Sequence, residues 1–390
     1  MNGLVRIGDA QRRARLGIRH RLAPHFRTDD AVEVASSMVA LHSSDPVTVH
    51  LSVAARQPVR SLAPLETALY EDRSVVRHHA MRRTIWVMPI DTAVDAHAAS
   101  TQPIAARERI RTMKAFGWTQ EFMEDAMDDL VDLIARIGPL TTREIGELRP
   151  SLTERVTVGE GTRNPAAIPA HTRLLLHAGF EARIVRGRPS GTWISSEYAW
   201  NETVAWLGRP IAGGEPRPAA AAIVRRWLEA FGPGTETDLR WWTGWTAAQL
   251  REALADVGAV EVDLDDGSSG YVLESDLGDI EEAEPWVALL PGLDPTAMGW
   301  KERGWYLDDA TARRVVDRNG NIGPTIWADG EVVGGWLQRP DGTIAQELDR
   351  PVSAEHRRLL ETEIERLTDV LGDSRFRTRF PAPNQADLLA

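Results

Sequence analysis

The chain has 390 residues, no cysteine, and 57 acidic residues against 45 Lys and Arg, for a formal net charge of −12. The missing cysteines exclude disulfides, thiolate zinc sites and cysteine nucleophiles, and they point to a reducing compartment. No uninterrupted apolar run follows Arg6, Arg12, Arg13 and Arg15, and no stretch is long enough to span a bilayer, so the expectation is a cytoplasmic, soluble, multidomain protein with a substantial core.

The charge is unevenly spread. Residues 1–118 hold 17 basic and 11 acidic residues, a surplus of six, whereas residues 251–290 hold one Arg and twelve acids. Attraction to phosphate acts over roughly a Debye length, about 8–10 Å, so a basic surface on an acidic scaffold can still bind nucleic acid. Only Lys114 and Lys301 are lysines. That skew reads first as genomic composition.

In chain order, the apolar spacing predicts helices at Ala10–Leu22, Asp30–Leu41, Pro46–Arg56 and Leu65–Tyr70, then a hairpin of Val75–Met81 and Thr84–Met88 around Arg82-Arg83. Asp45-Pro46 is a helix start, with Asp as N-cap and Pro at the first helical position, which leaves His42 and Ser44 in a short interhelical elbow. Capping alone accounts for Asp45, and a hydrogen-bonded elbow is the plainest account of His42 and Ser44. Helices follow at Thr92–Ser100, Ile104–Phe116 and Glu121–Ile137.

A capping box at Thr141–Glu144 opens a second unit, which runs through a polar loop to a helix at Ala170–Ala178 and a hairpin of Phe180–Arg186 and Thr192–Ser195 with Arg188 at its tip. A third unit repeats the order: a helix at Ala219–Phe231, helix starts at Thr235 and Thr246, and a hairpin of Ala259–Leu264 and Tyr271–Leu273. Three helices and a hairpin, three times over, is the winged-helix pattern. The acidity of the third unit argues for scaffold rather than a DNA reader. Beyond Glu284 strands dominate, with Asp329-Gly330 as a hairpin turn, and a helix at Ala354–Leu371 precedes a tail carrying Arg375, Arg377 and Arg379.

The sequence shows no phosphate loop, dinucleotide fingerprint or zinc-binding His-Glu-x-x-His helix, so no cofactor and no metal are expected. The fourteen tryptophans read as packing rather than base-stacking platforms. Arg77, His78, His79, Arg82 and Arg83 put five donors on one hairpin. They read either as a nucleic-acid contact or as a charged edge strand that resists aggregation.

The segments Val39–Pro46 (VALHSSDP), Arg77–Val87 (RHHAMRRTIWV), Phe231–Trp245 (FGPGTETDLRWWTGW), Leu290–Pro295 (LPGLDP) and Pro324–Trp336 (PTIWADGEVVGGW) together resemble the winged-helix DNA glycosylases that unhook interstrand crosslinks, of the azinomycin-resistance type. The resemblance implies an α+β fold: three tandem winged-helix units forming a C-shaped scaffold, completed by a small C-terminal β-domain and a closing helix. The expected boundaries are 1–118, 119–210, 211–284 and 285–390.

It also implies a monofunctional hydrolase, acting as a monomer on double-stranded alkylated DNA and removing N7-alkylated purines. The place would be cytoplasmic and nucleoid-associated, with no membrane. The family's catalytic motif is Gln, a small or apolar residue, then Gln or Asp, just before Asp-Pro. Here His42 and Ser44 stand at those positions, with Asp45 in support.

An N7-alkylpurine already carries positive charge and needs no protonation to leave, so neutral His42 and Ser44 would only have to place water beside an oxocarbenium-like sugar. That reading sets a single titration of His42 near its ordinary pKa of about 6.5. DNA contacts are expected from Arg77, His78, His79, Arg82, Arg83 and Arg188. A Schiff-base route would need Lys114 or Lys301, and neither falls at the motif. The alternative is a winged-helix DNA-binding protein without catalysis, a regulator or lesion sensor.

Overall fold

The computed structural model describes residues 4–158 and 165–389. The chain opens with α1 (Asp9–Arg19) and α2 (Ala31–Ser37), the latter capped by Asp30, whose side chain accepts from the Val32 and Glu33 N–H groups. The apolar run suggested a helix as far as Leu41, but α2 stops four residues earlier. Buried Val39 takes φ +60°, a left-handed conformation that β-branched residues avoid, and turns the chain into the two-residue strand β1 (Leu41–His42).

After it come α3 (Pro46–Ala54), α4 (Ala63–Tyr70), β2 (Val75–His79) and β3 (Ile85–Pro89). The three strands pair antiparallel in the order β1-β3-β2, with His42 opposite Trp86 and Arg77 opposite Val87. Helix, strand, two helices and a hairpin make a winged-helix unit. The expected elbow is therefore the first strand of a sheet.

A helical run of α5 (Ile90–Ala96) and α6 (Gln102–Phe116), joined through a π turn at His97–Thr101, leads to the second unit. This unit is α7 (Gln120–Ile137), β4 (Leu140–Thr141), α8 (Thr142–Leu148), a separate hairpin of β5 (Arg155–Val158) and β6 (Ala166–Pro169), α9 (Ala170–Phe180), β7 (Ile184–Pro189) and β8 (Tyr198–Glu202). Its sheet, β4-β8-β7, repeats the order of the first. The second hairpin strand lies later than expected, at Tyr198–Glu202 instead of Thr192–Ser195, and part of the expected polar loop is the β5–β6 hairpin.

Past α10 (Thr203–Leu207), the third unit has α11 (Pro216–Phe231), α12 (Glu236–Thr243), α13 (Ala247–Asp256), β9 (Val260–Asp263) and β10 (Ser269–Val272). In place of a first strand, the Gly234 backbone bridges Tyr271. The remainder is β11 (Val287–Leu290), α14 (Asp309–Val315), β12 (Thr325–Ala328), β13 (Glu331–Gln338), β14 (Ile344–Leu348), α15 (Ala354–Leu371) and α16 (Gln385–Leu389). Its four strands pair antiparallel in chain order, and the Asp329-Gly330 turn, both residues at positive φ, joins two of them.

One continuous core joins the first unit, the third unit and the C-terminal region through Val34, Trp86, Trp227, Trp242, Trp300 and Trp327, whereas the second unit packs around its own Met127, Leu130, Leu174 and Trp200. The tryptophans expected to pack do so, with Trp86, Trp227, Trp242, Trp300, Trp327 and Trp336 all fully buried. Helix α3 is fixed to the C-terminal region by a buried ion pair. Arg56 places Nη1 and Nη2 on Asp294 at 2.9 and 2.8 Å, and Ser52 donates to the same carboxylate at 2.6 Å. No described helix is long and apolar enough to cross a membrane.

Candidate active site

The segment Leu41–Pro46 leaves the sheet and enters α3 within four residues, so its side chains are set by two rigid elements at once. Ser43 donates its N–H to the Ile85 carbonyl at 2.9 Å, continuing the β1–β3 pairing, and its Oγ accepts from Arg77 Nε at 2.9 Å. Asp45 caps α3 as expected: Oδ1 accepts from the Val47 N–H at 3.0 Å, and Oδ2 receives the Arg379 N–H at 3.4 Å. Burial pushes its carboxyl up from the ordinary value, against those hydrogen bonds and the nearby Arg379 charge.

His42 is buried with its ring edge-on to Trp86, centroids 4.9 Å apart, and Trp86 in turn lies against Trp242. Its Nδ1 is buried and has no partner among the described residues. Burial, reinforced by the positive charge of Arg82, lowers the imidazole to about 3. The titration expected near 6.5 is thus displaced downward, which favours the neutral imidazole at neutral pH. The reason is desolvation by the tryptophan core, which the sequence neighbours of His42 did not reveal.

Ser44 is half-buried and lines a cleft of about 180 Å3 together with Ser43, Pro46, Ile85, Arg186, Ser196, Tyr198 and Arg379. His42 is not in that lining, so the expected pair does not meet in one cavity. Arg379, from the tail behind α15, donates Nη1 to the Ser44 carbonyl at 2.9 Å. Arg186 comes from β7 and Tyr198 from β8. Arg77 lies over the Tyr198 ring at 4.4 Å, and Arg186 lies 5.7 Å from the same ring and 5.2 Å from Trp200. Arg186 is held down to about 10 by burial and then by the charges of Arg77 and Arg379. It remains a cation at neutral pH.

Three of the residues expected to touch DNA are inside the molecule. Arg77, His78 and His79 are 2, 2 and 7 % exposed, because β2 is covered on both faces. His78 shares a 3.1 Å hydrogen bond with His97, and His79 packs on Phe180 with both ring nitrogens unpartnered among the described residues. Neither a surface DNA contact nor a charged edge strand describes them. Arg82, at the hairpin tip, stacks on Trp241 of α12 at 4.3 Å, so the first unit's wing is docked on the third unit.

Arg83 is exposed and paired with Glu108 at 2.7 Å. Arg188 is exposed over the Tyr70 ring at 4.7 Å, with Glu66 and Glu71 each 3.8 Å away. The third unit is not uniformly acidic either. Arg240, Trp241, Trp245 and Lys301 line a second cleft of about 410 Å3 on its α12 face. Neither lysine lines the cleft at Ser44.

Arg186, Tyr198 and Arg379 were not singled out for the site from the sequence. The alternation Tyr198-Ala199-Trp200 is a strand signal that could have placed Tyr198, but nothing local ties the arginine-rich tail to residues more than three hundred positions earlier.

A family model described as DNA glycosylase AlkZ-like matches residues 35–370. A segment of 130 residues is 32% identical to the interstrand DNA cross-link repair glycosylase of Streptomyces sahachiroi, covering 31% of this chain and 35% of that protein. The segment thus spans about a third of the curated relative. The fold of Streptomyces sahachiroi DNA glycosylase AlkZ superposes with a TM-score of 0.73 at 20% identity, covering 96% of this chain and 99% of that one.

Proposed function

The chain belongs to the AlkZ-like DNA glycosylase family, and from that premise we propose that it hydrolyses the N-glycosidic bond of N7-alkylated purines in duplex DNA, monoadducts or crosslinks, without forming a Schiff base. The observation that carries this reading is the cleft at Ser44. It opens at the head of the Asp45-Pro46 helix start, is walled by cations, and holds no lysine.

The chemistry asks little of the protein. A cationic N7-alkylpurine leaves without an acid, so the site must hold a water near C1′, and the charges of Arg186 and Arg379 must be met by backbone phosphates of the DNA so that they do not oppose the developing sugar cation. Ser44 lines the cleft, and in this reading its hydroxyl holds that water. Asp45, next in the chain and capping α3, contributes negative charge near the head of that helix, and His42, whose proton affinity burial lowers, adds little repulsion. His42 then acts through position, as the anchor of β1 against Trp86, more than as a base.

The same burial supports a second reading, a protein that binds damaged DNA without cleaving it, because the His42 ring is buried edge-on against Trp86 and does not line the cleft. Incubation with duplexes carrying N7-methylguanine or a bulkier N7 adduct separates the two. Release of free base and an alkali-labile abasic site supports hydrolysis. Tight binding with no release on any adduct supports the second reading.

A further inference from the structure

A buried charge without a countercharge is costly, several kcal/mol per ion in real proteins, so a structure that keeps one has a use for it. Several buried arginines are matched, Arg56 by Asp294 and Arg27 and Arg60 by Glu363, while buried Arg15, without a carboxylate partner among the described residues, gives Nη2 to the Asp276 and Gly278 carbonyls. Around the cleft three arginines together go unmatched. Among the described residues, buried Arg77, half-buried Arg186 and exposed Arg379 have no carboxylate within the 4.0 Å of an ion pair. Arg77, 2 % exposed, spends Nε on Ser43 and Nη1 on the Tyr70 hydroxyl at 3.4 Å, and its Nη2 has no partner among the described residues. Asp45, close by, has turned both oxygens to backbone N–H groups.

Tyr198 supplies an independent sign. It lines the cleft, is 6 % exposed, and its buried hydroxyl lacks any hydrogen-bond partner among the described residues. Such a donor is usually satisfied.

We propose that Arg186, Arg379 and the Tyr198 hydroxyl, with Arg77 packed on the Tyr198 ring, form a phosphate site that grips one backbone phosphate of the damaged strand beside the target nucleotide. The volume of about 180 Å3 admits a phosphodiester with a few waters. Guanidiniums offer a planar fork to phosphate oxygens, and the tyrosine hydroxyl offers a further donor. Because Arg379 also holds the Ser44 carbonyl, the grip fixes the sugar–phosphate chain relative to the water-holding hydroxyl. This proposal rests on the reading of the protein as a DNA glycosylase and names the contact that positions its substrate.

The test is a cycle between protein and DNA. Binding is measured on a duplex containing 2′-fluoro N7-methylguanine, whose glycosidic bond resists hydrolysis, with single neutral methylphosphonates scanned along the damaged strand. For the wild type, one linkage near the lesion should weaken binding about tenfold when neutralised. For Arg379→Gln, binding should already be about tenfold weaker, the same linkage should have no further effect, and the salt slope should fall by about one. Tyr198→Phe, which keeps the ring under Arg77, should show the same loss of coupling at smaller amplitude and covers the case in which Arg379→Gln does not fold.

Purely additive losses at every linkage in both variants would overturn the proposal. So would protection of the free protein against heat by inorganic phosphate, absent in Arg379→Gln, if no linkage is coupled, because the site would then serve a free ion. Base release is scored separately on the unfluorinated duplex. Coupling without release leaves the phosphate site standing and removes the glycosylase reading, whereas release without coupling does the reverse.

Discussion

The two ends of α3 handle buried charge in opposite ways. At its C-terminal end Arg56 is fully enclosed, and its guanidinium meets Asp294 twice, Thr296 at 2.7 Å, and the His20 and Ser52 carbonyls at 2.9 and 2.7 Å. At the N-terminal end Arg77 is almost as deeply enclosed and finds only hydroxyls and an aromatic face. The first arrangement is complete in itself and fixes the helix to the C-terminal region. The second is incomplete, and its incompleteness falls beside Ser43 and the cleft at Ser44. Burial alone therefore does not mark a structural charge; what decides is whether the countercharge is built in.

The comparison is tested most forcefully by acid, because unmatched buried groups include most of the imidazoles. Burial holds His20, His42 and His79 at about 3, His50, His97 and His177 at about 4, and His78 well below its ordinary value. An unfolded imidazole takes a proton near pH 6.5 while the folded one does not, so stability is fully present above 6.5 and falls as pH drops toward the folded values. Every such ring adds to the loss in the same direction, so stability should fall steeply on acidification. The denaturation midpoint should collapse between pH 6.5 and 5, and a flat profile would mean that these rings are not buried neutral.

Next in size is Asp294→Asn. Burial alone would raise this carboxyl, but Arg56 and the hydrogen bonds of Ser52 and Thr296 hold it below its ordinary value. Leaving Arg56 enclosed and unmatched should cost about 3–5 kcal/mol in chemical denaturation. Asp45→Asn, at the other end of the helix, keeps a good N-cap and should stay within about 0.5 kcal/mol. Equal losses would erase the contrast between the two ends.

Arg77→Met removes an enclosed cation that has no countercharge. Stability should hold, or rise by about 1 kcal/mol or more, while Arg56→Met should destabilise. A large loss in Arg77→Met would show that its contacts with Ser43, Tyr70 and Tyr198 already compensate the charge.

At the docked wing the two arginines should part. Arg82→Ala loses its stacking on Trp241 and should cost about 0.5–2 kcal/mol of stability with little change in the salt dependence of DNA binding. Arg83→Ala should leave stability nearly unchanged and make the salt slope shallower. The smallest expected effect is on rate against pH. Because His42 stays neutral down to about 3, base release should show no step near 6.5 while the protein remains folded. A step there that disappears in His42→Gln would return His42 to the role of a titrating base.

Local pattern was enough for elements that carry their own boundary signals. The helix Ala354–Leu371 begins after Ser353, whose side chain caps it, and stops at Gly372, and it is where the apolar spacing puts it. The Asp329-Gly330 hairpin and the capping boxes at Thr141 and Thr235 are likewise local chemistry. Strand β1 was not legible, because two apolar-flanked residues continue the helical spacing of α2, and only the Val39 turn and pairing with β3 make them a strand.

The sequence by itself determined most of the helices, the Asp329-Gly330 hairpin and the cap at Asp45, since each depends on residues a few places apart. Tertiary structure alone decided which charges face solvent. It enclosed Arg77, His78 and His79, set Arg82 on Trp241, removed the proton from His42, and brought Arg186, Tyr198 and Arg379 to Ser44. The physical reason is range. Capping and periodicity act within a turn or two of chain, whereas desolvation and charge depend on every element that packs against a group, however distant in sequence.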